Sequence, residues 1–323
     1  MKDFNTKIIN AIIKHSSNRI STVNYLTETL AISKESAYRR IRNQIPFTIE
    51  EVIAIAKYFD LSIDQLLDLT SGSNPLISKY FNTELEPVDV YCDLLKGDID
   101  IMEKLLASNN MKITATMNRI PFRFLPYKSL FKFEYFHYLY SIGKISLMTL
   151  FSDIKLPSQI NNLHDKCVTY FSHMDNFICI VDSIAYSNII QKIQYYHRLK
   201  FISTEDLRIL QTELFELLAK YENLLHNGKN NTGSNYTFYY SLFNLESNIV
   251  FIEYDNDSLL QLWVYPESPI IIKNNPQIND IQKMWIESKI RNSVLITKTA
   301  DIQQIEMLRE IYRQISDLTK PEN

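Results

Sequence analysis

Glycine is the residue this chain nearly does without: five in 323 positions, Gly72, Gly97, Gly143, Gly228 and Gly233, where roughly 7% is ordinary. Backbone that turns through left-handed dihedrals or lies against a phosphate is usually built on glycine. A dinucleotide fingerprint needs three glycines within six residues, and only Gly228 and Gly233 lie close together. They bracket Gly228-Lys229-Asn230-Asn231-Thr232-Gly233-Ser234, which has the spacing of a P-loop but no lysine after the second glycine. That segment reads as an Asn/Gly surface loop, and nucleotide chemistry is all but excluded.

The rest of the composition is that of a folding chain, with 46% hydrophobic and 22% charged residues. Twenty Tyr and 17 Phe supply large apolar areas with polar tips. The formal net charge is −3, so the whole molecule is no polycation that coats nucleic acid. The balance is uneven: nine basic face eight acidic residues through residue 70, and 25 face 29 beyond it. Three scattered cysteines, Cys92, Cys167 and Cys179, fit a reducing compartment rather than a disulfide framework. The first 18 residues lack a signal-peptide pattern, and no stretch approaches the roughly 18 apolar residues of a membrane span. A cytoplasmic protein is expected.

Punctuation divides the text. Thr48-Ile49-Glu50-Glu51 is a capping box, with Phe47 and Val52 placed as its hydrophobic staple. Ser62-Ile63-Asp64-Gln65 repeats it with Leu61 and Leu66, and Ser33 repeats half of it with Ile32 and Ala37. Apolar residues between the caps, including Ile49, Val52, Ile53, Ala56 and Phe59, fall at helical spacing. Five short helices are predicted at about 3–15, 22–30, 34–43, 49–59 and 63–69. Thr70-Ser71-Gly72-Ser73-Asn74-Pro75 then marks a boundary. The predicted organisation is a domain over 1–70, a linker over 71–87, a helical region over 88–235 and an α+β region over 236–323.

In the helical region, Leu163, Cys167, Tyr170, Phe171, Met174, Phe177, Ile178 and Val181 recur at three- and four-residue steps, predicting one long amphipathic helix or two end to end. Runs at 237–245, 249–254 and 259–265 read as a three-stranded meander. Helices at about 277–290 and 301–318 follow, with Val294-Leu295-Ile296 between them; Ile305, Leu308, Tyr312 and Ile315 form a seam that could pack internally or pair two copies. The expected class is mainly α with a small antiparallel sheet.

Residues 22–43 carry the one constellation that points to a function. Helix 22–30, the short turn Ala31-Ile32-Ser33 and helix 34–43 have the layout of a helix-turn-helix. At roughly 100° per residue, Ala37 and Ile41 point inward while Glu35, Tyr38, Arg39 and Arg42 gather on the opposite side, with Lys34 and Arg40 at its edges. Arginine can fork to guanine O6 and N7, and Lys, Ser and Tyr can hold phosphates. Basic residues late in a helix also simply offset its dipole, so the cluster alone leaves both readings open.

The whole five-helix segment resembles the lambda-repressor-like, Xre-type helix-turn-helix domain, and TIEEVIAIAKYFDLSIDQLL, Thr48 through Leu67, is similar to that family's fourth and fifth helices. The resemblance covers about the first fifth of the chain. It implies a five-helix DNA-binding domain whose helix 34–43 enters the major groove, with Ser33, Lys34, Glu35, Tyr38, Arg39 and Arg42 facing bases or phosphates. It further implies a transcriptional regulator that binds a pseudo-palindromic double-stranded operator as a homodimer, the larger α+β C-terminal region dimerising it or sensing a small-molecule signal. Two positions depart from the family: Ala31 stands where the turn usually has glycine, and Arg40 where an apolar residue is expected, Ile41 taking that role. The alternative is a non-enzymatic interaction module, an antitoxin or scaffold, carrying a helix-turn-helix-like domain.

Other constellations are weaker. His164, Cys167, His173 and Cys179 are zinc-ligand types without ligand spacing, and Cys167 sits on an apolar stripe. No HExxH, GxSxG or CxxC occurs, and His197 stands alone after Tyr195-Tyr196. Neither enzyme activity, nor a cofactor, nor a metal is expected. The aromatic runs 122–127 and 131–138 read as core before ligand cavity, and Trp263 and Trp285 are uncommitted.

Overall fold

A computed structural model describes residues 5–6, 8–10, 12, 19–58, 85–146, 148–182, 184–263, 269–273, 275–299 and 302–320. Its internal contacts separate two compact units, Met1–Pro75 and Leu76–Asn323.

In the first unit, α1 (Arg19–Leu30), α2 (Lys34–Ile41) and α3 (Ile49–Tyr58) follow one another. The described residues of the segment predicted as helix 3–15 are helical as well. The segment predicted as helix 63–69, with its Ser62 cap, lies outside the described residues, as do positions 71–84 of the predicted linker. Ile8, Ile12, Val23, Leu26, Ala37, Phe47, Val52 and Ile55 form the core. Ile49 and Ile53, expected on the inner stripe of α3, are exposed at 56% and 37%. A ten-residue helix lying on a small core buries only the narrow face that Val52, Ile55 and Ala56 occupy.

The second unit is built on a mixed seven-stranded sheet ordered β6-β5-β4-β1-β2-β3-β7. Its elements run α4 (Pro87–Leu106), β1 (Lys112–Met117), α5 (Lys128–Ser141), α6 (Ser158–Ser172), β2 (Phe177–Val181), α7 (Ile184–Arg198), α8 (Thr204–Asn227), β3 (Tyr236–Ser241), β4 (Asn248–Tyr254), β5 (Asp257–Trp263), β6 (Ile270–Lys273), α9 (Pro276–Arg291), β7 (Ser293–Leu295) and α10 (Ile302–Asp317). The α+β class stands, but the sheet is neither small nor purely antiparallel. β2 pairs parallel with both β1 and β3, and the helical crossovers α5–α6 and α7–α8 provide the returns. The expected meander is only half present: β4 and β5 form an antiparallel hairpin, whereas β3 pairs with β2 and β7, and β4 with β1.

β1 and β2 fall inside the stretch predicted as helical. The helical stripe ends at Ser172, Asn176 turns the backbone at φ 52°, and Phe177-Ile178-Cys179-Ile180-Val181 continues as a central strand. A parallel strand covered on both faces is apolar throughout, so periodicity cannot distinguish it from a buried helix. One sheet face, with Ala115, Cys179, Phe238 and Ile252, joins the main core under α4–α8 and α10. The other carries Phe251 and Leu260 against Ile286 of α9. α10 buries Gln304, Met307, Ile311 and Ile315, one residue out of phase with the predicted seam; only Ile315 belongs to both, and Ile305 and Tyr312 are exposed. The aromatic run of α5 is core: Phe133 and Phe136 set their rings edge-on to Tyr196.

Scarce glycine leaves its mark at helix ends. α2, α5 and α7 each close with the same pair of reverse hydrogen bonds around one left-handed residue, Asn43, Gly143 and Lys200 respectively. Ala31, after α1, also has φ 52°. A side chain in this region costs roughly 1 kcal/mol, partly offset by the freedom glycine has when unfolded. Ala31→Gly and Lys200→Gly are therefore each expected to stabilise their unit by about 0.5–1 kcal/mol in urea titrations; unchanged or lower midpoints would contradict it.

Two histidines are held neutral. Burial, with Lys128 nearby, pushes His164 down to about 4, and burial with Lys192 and Arg119 does the same to His137. His164 lies stacked on Phe131 at 3.7 Å, and His137 Nδ1 sits 2.7 Å from the Tyr196 hydroxyl. Unfolded histidine takes its proton near 6.5, so between about pH 6.5 and 4 the unfolded chain binds more protons and stability falls as pH falls. From pH 7 to 5.5 each histidine should cost about 1 kcal/mol. In urea titrations His137→Gln and His164→Gln should each flatten that slope; an unaltered slope in the double variant would assign it elsewhere.

Candidate nucleic-acid interface

The geometry of α2 is set at both ends by side chains the sequence supplies. The Ser33 hydroxyl accepts from the Ser36 N–H at 3.2 Å and starts the helix. At the other end the Gln44 N–H donates to the Arg39 carbonyl and the Asn43 N–H to that of Arg40, each at 2.8 Å. The helix thus stops at Ile41, short of the predicted residue 43. The left-handed Asn43 is anchored through its side chain, which accepts from Asn5 Nδ2 at 2.7 Å. Asn5 in turn accepts the Phe47 N–H at 2.9 Å, tying the N-terminal segment to the connection before α3.

The Thr48 box forms as predicted: the Glu51 N–H donates to Thr48 Oγ1 at 3.3 Å and the Thr48 N–H to Glu51 Oε2 at 3.0 Å. Glu51 also receives Arg40. Its Oε2 accepts from Arg40 Nε at 3.1 Å and its Oε1 from Nη2 at 2.5 Å, a two-point fork. Arg40 Nη1 donates further to Ser36 Oγ at 2.5 Å. Arg40 is thus 9% exposed and faces α3, not the edge of the outer face where helical phase alone set it. The apolar slot of the helix is filled by an arginine whose charge is neutralised from the next helix, while Ile41 packs partly buried against the core.

Withdrawing Arg40 changes the outer face without abolishing it. Ser33, Lys34, Glu35, Tyr38, Arg39 and Arg42 are all exposed. Three cations now stand against the one carboxylate of Glu35, and none of the three is ion-paired among the described residues. The Arg42 guanidinium lies over the Tyr38 ring at 5.9 Å, and Tyr38 is 45% exposed. Glu51 was missed as a partner of this helix, although the signal was present: an arginine in an apolar slot requires a buried acceptor.

The residues considered for a metal or a base are engaged in packing or in hydrogen bonds to the backbone. His164 Nε2 lies 3.0 Å from the Leu125 carbonyl, and Cys167 and Cys179 are buried with their thiols pushed up by desolvation. His173 caps the end of α6, and His197 Nδ1 lies 2.8 Å from the Ile202 carbonyl. Gly228 ends α8 in a left-handed conformation and the loop after it returns into β3, a helix stop rather than a phosphate cradle. Among the described residues no helix is long and apolar enough to cross a membrane.

A protein-family model described as the BetR domain matches residues 4–121, which takes in the described helices of the first unit and continues through α4 and β1 of the second. No curated protein and no solved structure matches the chain.

Breaking the Arg40–Glu51 fork should be costly, because either charge left alone is largely buried. Arg40→Ala is expected to destabilise the first unit by about 2–4 kcal/mol, and Arg40→Met combined with Glu51→Gln by clearly less. Urea titration followed by circular dichroism checks this; equal losses in both variants would show that packing, not charge pairing, holds α2 to α3.

Proposed function

We propose that the first unit is a sequence-specific DNA-binding module of a cytoplasmic transcriptional regulator, with α2 as the helix that enters the major groove. The observation that carries this reading is the division of charge on α2. One arginine is turned inward and neutralised by Glu51, while Lys34, Arg39 and Arg42 are left exposed on the opposite side and unpaired among the described residues. A helix that used its basic residues only to offset its dipole would have no need of this sorting. Arg39 and Arg42 fork to base edges, Lys34 and Ser33 hold phosphates, and Tyr38 and Glu35 complete the reading face.

One helix offers few phosphate contacts. Two copies on half-sites about one DNA turn apart restore the affinity, so the active species is a homodimer on a pseudo-palindromic operator. The second unit supplies the dimer contact or senses a signal.

The test is binding of the full-length protein to DNA selected from a random pool. Arg39→Ala with Arg42→Ala should weaken binding to the selected site about 100-fold or more at fixed salt, with unfolding midpoints unchanged. Lys34→Gln should lower the slope of log K against log salt by about one per protomer and weaken all sequences alike. Selection that converges on no motif, or full affinity in the double variant, would overturn the reading.

A further inference from the structure

The second unit contains a group of apolar cavities on the helix-covered face of the sheet. The largest, about 150 Å³, lies between β2 and β3 and helices α6, α7, α8 and α10, with Cys179, Phe238, Ala185, Leu217 and Met307 among its walls. A second, about 120 Å³, adjoins it towards the 230–232 loop, and the two share Leu125, Phe171, Lys220, Leu224 and Tyr236. A third, about 70 Å³, extends towards Trp263 and shares Met117, Pro121, Phe171 and Phe177 with the first. Phe171 borders all three, stacked at 5.3 Å on Phe124 and edge-on at 5.8 Å to Phe177.

The polar groups here are few and divide by use. Asp182, a carboxylate of the inner wall, is consumed by the fold, accepting the Ile184 N–H at 2.9 Å and the Leu245 N–H at 2.7 Å. The Tyr221 hydroxyl is buried and has no hydrogen-bond partner among the described residues. At the outer end Lys220 is exposed, borders both larger cavities and makes no ion pair among the described residues. The loop opposite it is fixed, because Asn230 Nδ2 donates to the Ser172 carbonyl at 2.6 Å. Asn231, next to it in that wall, is exposed.

We infer that this unit binds an amphiphile with one medium-length apolar chain and an anionic head, the chain lying among the neighbouring cavities and the head at Lys220. A cavity of about 150 Å³ accepts a six-carbon ring, so neighbouring compartments that share walls suit a chain of about ten carbons. Three compartments that share Phe171 favour a chain over a compact ring. The lysine at the outer end, ion-paired with no carboxylate among the described residues, favours an acyl carboxylate over a neutral lipid. The inference is independent of DNA binding, and its test contains no nucleic acid.

The probe is decanoate, with decanol as the neutral equivalent, titrated into the full-length protein by calorimetry below the micelle concentration. Saturable binding of one decanoate per chain is expected. Lys220→Gln should weaken decanoate about tenfold and leave decanol unchanged, and Ala185→Leu, which fills the largest cavity, should weaken both. Lys220 is on the surface, so that variant decides the question even if Ala185→Leu fails to fold. No saturable binding of either probe, a stoichiometry well above one, or equal effects of Lys220→Gln on both probes would overturn the inference.

Discussion

The fork between Arg40 and Glu51 is the interaction on which the outer face of α2 depends. Glu51 belongs to the capping box that starts α3, so one carboxylate fixes a helix start and receives the guanidinium of the helix before it. A buried pair of this kind is weak evidence for stability, since desolvation takes back much of the attraction. Its effect is orientational. With Arg40 held inward at two points, α2 has one rotational setting about its axis, and in that setting Lys34, Tyr38, Arg39 and Arg42 are exposed.

How much of this was legible follows from which signals are local. Ser33 caps onto Ser36 and Thr48 pairs with Glu51, each three residues on, so the caps and the helix starts they define could be read directly. The partner of Arg40 lies eleven positions away on another helix, and no periodicity encodes that. The same distinction governs the sheet. The β4–β5 hairpin is local, turning at Asp255 with φ 50°, and was recognisable from its polar break. β1 and β2 take their neighbours from across helical crossovers, and their apolar runs match a buried helix as well as a central strand. On α10 the spacing was right and the phase wrong by one residue, because a stripe of alternating Ile, Leu and Met leaves two adjacent faces nearly equally apolar.

Glycine scarcity did not remove left-handed corners from the fold; it moved them onto other residues. Asn43, Asn110, Asn176 and Asp255 carry four of them, and short polar side chains tolerate that conformation best. Ala31 and Lys200 have no such compensation, so the connection between α1 and α2 itself holds strain that glycine would relieve.

The cavities beneath the sheet pose the same question of stability set against use. Core truncations lose roughly 24 cal/mol per Å³ of void, so about 150 Å³ left unfilled forgoes about 3–4 kcal/mol. Cys179, Ala185 and Phe171 could each be exchanged for larger or differently set apolar side chains to close it, and native interiors are normally packed without such gaps. The Tyr221 hydroxyl, without a hydrogen-bond partner among the described residues, adds a polar group to the same wall. A unit with this much aromatic bulk does not lack the means to fill its core. The void is therefore better explained as space reserved for a guest than as a packing fault, because a guest that buries a chain there restores contacts the fold forgoes.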